Sequence, residues 1–96
     1  MIPSPQVMIA ERKVTILNTL GLHVRPSAEF AGTASRFRSR VSVIKEGQAV
    51  NAKSSIDLLT LAAVAGTQLL LRAEGEDAGD AVEALARLIE SKFGEE

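Results

Sequence analysis

The chain has no cysteine, no tryptophan and no tyrosine. Without cysteine there is no disulfide framework and no thiolate metal site, which fits an intracellular protein. The only aromatics are three phenylalanines, Phe30, Phe37 and Phe93. RNA-binding α/β sandwiches stack bases on aromatic residues of the sheet. Here all three fall in segments with helical patterning, and the net charge is -1. Neither nucleic acid nor an anionic membrane surface is expected as a partner. Long apolar runs are also missing. The most apolar stretch, 58–71, is broken by Thr60, Gly66, Thr67 and Gln68. It falls short of the ~20 residues that a membrane-spanning helix needs. No basic region precedes an apolar run near Met1, so no secretory signal is expected and the cytoplasm is the expected location. Histidine is scarce too: the chain has one, His23.

What is present suits a single folded domain. The chain has 96 residues, 46% of them hydrophobic, enough to bury a core without staples. Met1 to Ala10 carries two prolines and no clear period, and reads as a flexible leader (1–10) before a domain over 11–96. Glu11 to Leu17 alternates as a first strand, with Val14 and Ile16 on one face. A helix is expected over about Val24 to Phe37, its apolar face made of Phe30, Ala31, Ala34 and Phe37. Gly32 within it costs about 1 kcal/mol relative to alanine, and suggests a close packing contact. Arg40 to Lys45 and Gln48 to Ala52 read as a hairpin around Glu46-Gly47. A second helix begins near Ser54, whose spacing to Asp57 matches a capping box, and closes near Gly66. Gln68 to Glu74 reads as a fourth strand. Asp77 is a candidate N-cap for a third helix, running to about Lys92 with Val82, Leu85, Ala86, Ile89 and Phe93 inward. The order βαββαβα makes an α+β domain, an antiparallel sheet with helices on one face. Periodicity leaves the strand order open.

The chemistry converges on Gly21-Leu22-His23-Val24-Arg25-Pro26, where the first strand hands over to the first helix. The first N–H groups of a helix have no partner within it, and the aligned peptide dipoles leave that end partly positive. An anion held there gains about 0.3–1 kcal/mol. Arg25 adds a permanent cation whose planar donor fork suits phosphate. Pro26 lies in the first helical turn, where its missing N–H does little harm. A neutral imidazole nitrogen is a nucleophile, and an ordinary histidine is about three-quarters neutral at pH 7. Activation of the ring is therefore a small gain. The larger effect falls on the phosphoryl oxygens in the transition state, which meet backbone N–H groups and a guanidinium.

The stretch Gly21 to Pro26 resembles the active-site motif of the HPr family, the histidine phosphocarriers of the bacterial phosphoenolpyruvate-dependent phosphotransferase system. The resemblance continues in Lys53-Ser54, in Ala65-Gly66-Thr67 and in Ala73 to Asp77, and covers the chain from about Glu11 onward. It implies an open-faced β-sandwich, four strands in the order 1-4-2-3 covered on one face by three helices. It implies a carrier rather than an enzyme. The phosphoryl group would arrive on Nδ1 of His23 from Enzyme I, assisted by Arg25, and leave to EIIA domains of sugar permeases. No metal or organic cofactor is implied, and a monomer is expected. Ser54 occupies the place of the serine that HPr kinase/phosphorylase modifies in many members. Polar Ser55 and acidic Asp57 depart from the common pattern there. As a plain N-cap, Ser54 contributes about 1 kcal/mol. On the second helix, Ile56 and Leu59 are candidates for a partner patch. Two other functions compete. One is the NPr-like carrier of the nitrogen branch, which phosphorylates regulators. The other is a small-ligand-binding regulatory sandwich, which leaves the Gly21 to Pro26 motif without a purpose.

Overall fold

A computed structural model describes residues 8–96. Its elements are β1 (Ile9–Thr15), α1 (Val24–Ala34), β2 (Arg40–Lys45), β3 (Gln48–Asn51), α2 (Ser55–Thr60), β4 (Gln68–Glu74) and α3 (Ala78–Glu90), followed by a 3-10 turn at Lys92–Gly94. The four strands form one sheet in the order β1-β4-β2-β3. All neighbours are antiparallel, with Val14 opposite Leu69, Val43 opposite Leu71 and Val43 opposite Val50. β4 and β2 are the two central strands, each with a strand on both sides; Leu69, Leu71 and Ala73 of β4 are buried on one face.

The helices cover the face that carries Val14, Val41, Val43, Leu69 and Leu71. Phe30, Ala31 and Ala34 of α1, Leu58 of α2, and Val82, Leu85, Ala86 and Ile89 of α3 complete the core. The other face is open. There Arg72 donates to Glu11 at 3.2 Å and to Glu74 at 3.1 Å. Such an exposed charge pair adds little stability, and marks the solvent side of the sheet.

Several boundaries differ from the sequence expectation. β1 starts at Ile9, two residues before the expected Glu11, so Ile9 and Ala10 belong to the sheet; residues 1–7 of the expected leader lie outside the described residues. β3 ends at Asn51, one residue early. α1 stops at Ala34, and Phe37 packs from the turn that follows. A Cβ on Gly32 would meet nothing within 4 Å, so that glycine makes no close contact. α2 is only six residues long. It ends well before Gly66 because Ala62 turns left-handed, at φ 49°; Gly66 instead donates its N–H to Ile16 O and starts the approach to β4. Asp77 does stand at the N-cap position of α3, but its side chain caps nothing there. Its carboxylate accepts from the N–H of Arg38 (2.8 Å), and from the N–H (2.9 Å) and hydroxyl of Ser39. It thereby ties α3 to the loop before β2, and these bonds hold its carboxyl below the usual carboxylate range.

Phe93 is the largest departure. It is not on α3. Lys92, Phe93 and Gly94 adopt φ of 57°, 55° and 71°, a left-handed turn that drops the Phe93 ring back into the core. For the two residues with a Cβ this conformation costs roughly 1–2 kcal/mol each. Burying a phenylalanine returns about 1.5–3 kcal/mol, which offsets much of that strain.

Candidate functional site

The loop between β1 and α1 is held by a buried asparagine and a tight glycine. Asn18 is fully buried, and its amide donates to Gly21 O at 2.7 Å. Gly21 has φ 68°, and a Cβ there would stand 2.9 Å from Val64 Cα and closer still to Ala63 O. The close approach lets Leu22 N–H reach Ala63 O at 2.9 Å. The next residue, His23, is the N-cap of α1 in extended conformation. Ser27 locks the turn, donating its N–H to His23 O and its hydroxyl to Leu22 O. Pro26 and Ser27 are buried, so the helix start is anchored from below while His23 faces outward.

The His23 side chain is 35% exposed, and Arg25 is on the same rim at 52%. α1 begins at Val24 as expected. Within the described residues, the N–H groups of Val24 and Arg25 precede the first helical bond and meet no acceptor. The positive mouth expected from sequence is therefore present. What sequence did not indicate is that the chain supplies its own anion there. Glu95, just after the left-handed turn, lies with its carboxylate 2.8 and 3.0 Å from His23 Nε2. Arg25 Nη2 stands 2.9 Å from the same carboxylate, and Arg25 Nε donates to it at 3.2 Å. Asn18 donates to it at 2.9 Å. Arg25 is further engaged by Glu29 at 3.0 Å and by the carbonyl of Phe93.

These donors lower the Glu95 pKa from 4.5 to about 2. The hydrogen bond from His23 is the largest cause, ahead of those from Arg25 and Asn18, and together they outweigh the partial burial that opposes ionisation. An ionised carboxylate only accepts. Nε2 of His23 therefore donates, and the neutral ring carries its proton on Nε2 and its free lone pair on Nδ1. Among the described residues the ring is bonded through Nε2 alone.

Ser54 is elsewhere. Its hydroxyl accepts from the N–H of Asp57 at 3.2 Å as the N-cap of α2, and the Lys53 ammonium donates to Phe37 O at 2.8 Å. Ser54 does not join the His23 cluster. α2 nevertheless contributes to the same face: a shallow hollow beside His23 is lined by Leu20, Leu22, Leu59, Ala62, Ala63 and Val64. Of these, Leu20 and Val64 are strongly exposed, as are Val24, next to His23 in sequence, and Ile56 of α2. Isolated apolar side chains on a surface are ordinary, but a rim of them around one polar group is the form of a docking face.

Fold and site together define a small open-faced sandwich domain with an imidazole at a helix mouth. Residues 10–91 match the family model described as "PTS HPr component phosphorylation site". The phosphocarrier protein HPr of Xylella fastidiosa (strain Temecula1) is 41% identical over 86 residues, covering 90% of this chain and 97% of that one. HPr-C-His from Thermoanaerobacter tengcongensis superposes with a TM-score of 0.87 at 47% identity, covering 91% of this chain and 98% of that one. An HPr dimer from the same organism superposes at 0.73 and 48% identity, covering 85% and 94%. The chain belongs to the HPr family, the phosphocarrier proteins of the phosphotransferase system.

Proposed function

We propose that this protein carries a phosphoryl group on His23, receiving it from Enzyme I and passing it to EIIA domains of sugar permeases. The observation that carries the proposal is one imidazole at the exposed mouth of α1, beside Arg25, in a chain of the phosphocarrier family. The Nδ1 lone pair attacks phosphorus as the bond to the donor breaks, and the donor leaves with that electron pair. The unpartnered N–H groups of Val24 and Arg25 and the guanidinium are suited to the phosphoryl oxygens. The apolar rim around His23 fits docking of two successive partners on one face. Within this reading the protein is a cytoplasmic carrier, itself the covalent intermediate. Among the described residues no helix is long and apolar enough to cross a membrane.

Regulation through Ser54 belongs to the same proposal. A phosphate there adds about -1.5 to -2 charge next to Asp57 and to exposed Ile56. That charge would repel an acidic partner from the docking face without breaking the fold. Incubation with HPr kinase/phosphorylase and ATP is expected to place phosphate on Ser54; a peptide map with none there removes this regulation. For the carrier itself, the test is incubation with Enzyme I and labelled phosphoenolpyruvate. Acid-labile, alkali-stable label is expected on the protein and is lost in His23→Ala. Label retained by that variant would refute the assignment. A panel of EIIA acceptors from the sugar and nitrogen branches distinguishes an HPr-like from an NPr-like role.

A further inference from the structure

We propose that Glu95 is the positioning residue of the phosphoryl acceptor: its carboxylate holds the proton on Nε2 of His23, presents Nδ1 outward, and neutralises the ring as phosphorus bonds to it. The inference deepens the phosphocarrier reading and rests on it. Three observations carry it. The carboxylate is within 2.8 and 3.0 Å of Nε2. It is itself fixed from two other sides, by Asn18 and by Arg25, so it can orient the ring rather than follow it. The backbone that delivers it passes through two left-handed residues with side chains, Lys92 and Phe93, a conformation that persists only where the surroundings enforce it.

The proton inventory shows where Glu95 acts. The ring enters neutral, with hydrogen on Nε2 and the lone pair on Nδ1. As the Nδ1–P bond forms and the donor's bond to phosphorus breaks, no proton moves. The imidazole acquires positive charge, and the hydrogen on Nε2 becomes a charged donor to Glu95. Fixing the tautomer alone is a small effect, since an evenly mixed ring would lose only about twofold in reactive population. The charge created during transfer is the greater effect, because a carboxylate stabilises it more than it stabilises the neutral ring. This division of labour matches the carboxylate that orients and steadies the histidine of a hydrolytic triad.

The same contacts set a competing effect against this one. Glu95 occupies Arg25, so its removal frees a guanidinium for the phosphoryl group. The experiment therefore reads the sign. Glu95→Ala removes the hydrogen bond, and Glu95→Gln keeps an acceptor of similar shape without the charge. Nitrogen-15 NMR of the His23 ring, at a pH above imidazole titration, is expected to show the Nε2–H tautomer alone in the native protein and a mixture in Glu95→Ala. Transfer from phospho-Enzyme I is expected to lose about tenfold in kcat in both variants with KM little changed. An unaltered tautomer in Glu95→Ala, or a kcat in Glu95→Gln that holds or rises, overturns the proposal. Failure of the native protein to take up phosphate at all would instead overturn the carrier reading, while the ring NMR still reports on Glu95.

Discussion

Two side chains at the mouth of α1 depend on a third that lies seventy residues away in sequence. His23 and Arg25 were legible because their chemistry is local: a lone histidine, a cation two residues on, and a helix start. Asn18 and Glu95 were not. Asn18 sits in a stretch that reads as an ordinary turn, and nothing in its neighbours announces full burial. Glu95 reads as a solvated charge, since only the left-handed turn at Lys92–Gly94 aims it back at the site. Arg25→Ala is expected to keep the fold, because its exposed ion pair with Glu29 contributes less than about 1 kcal/mol, and Glu95 keeps its bonds from His23 and Asn18. The same variant is expected to slow phosphoryl transfer about 100-fold, the usual effect of losing one donor to developing negative charge. Stopped-flow transfer from Enzyme I, beside a thermal melt, measures both. Glu95 also predicts a pH window. Its pKa lies below the unfolded value, so its contribution to stability is full above about pH 4.5 and is lost as pH falls through about 2. The side-chain carboxyl carbon signal of Glu95 is expected to titrate only as pH falls through about 2; a titration midpoint near the ordinary carboxylate value of 4.5 would contradict the assignment.

Element by element, patterns of period two were easier to place than helix ends. β2 and β4 begin and end where alternation put them, because their neighbours on both sides are strands of matching period. The helices end where the chain has to turn, and that depends on contacts distant in sequence. α2 stops after six residues because Ala62, not Gly66, takes the left-handed turn. Asp77 looked like a helix cap, but its carboxylate finds three donors on the loop before β2. Two glycines of the α1 region make a matched prediction. Gly32 is on the exposed side of the helix with free space around it, so Gly32→Ala is expected to stabilise by about 1 kcal/mol. Gly21 combines a positive φ with backbone closer than a Cβ allows, so Gly21→Ala is expected to destabilise by about 2 kcal/mol or more. Urea titrations of the two variants check the opposite signs.

At the scale of the whole molecule, the layer arrangement followed from periodicity, while the strand order came with the family resemblance. α3 runs back along β1, with Arg12 paired to Glu90 at 2.9 Å and Thr19 N–H donating to Glu96 O at 2.7 Å, and this is what carries Glu95 to the loop that bears His23. The sheet leaves β1 and β3 as edges. β3 is four residues long, short enough to offer little template for another chain. A monomer is accordingly expected at micromolar concentration, although a related HPr has been crystallised as a dimer. Light scattering that returns twice the chain mass would overturn this, and would shift interest to the β3 edge.

All three guanidinium nitrogens of Arg25 are already engaged, by Glu95, Glu29 and the Phe93 carbonyl. An internal competitor on a short tether acts at an effective concentration on the order of millimolar or more. Dissolved orthophosphate, sugar phosphates and nucleotides thus face a rival that never diffuses away. On the carrier reading, the resting site is expected to bind those metabolites weakly, whereas a docked phosphoryl donor adds contacts along the surrounding apolar rim that they lack.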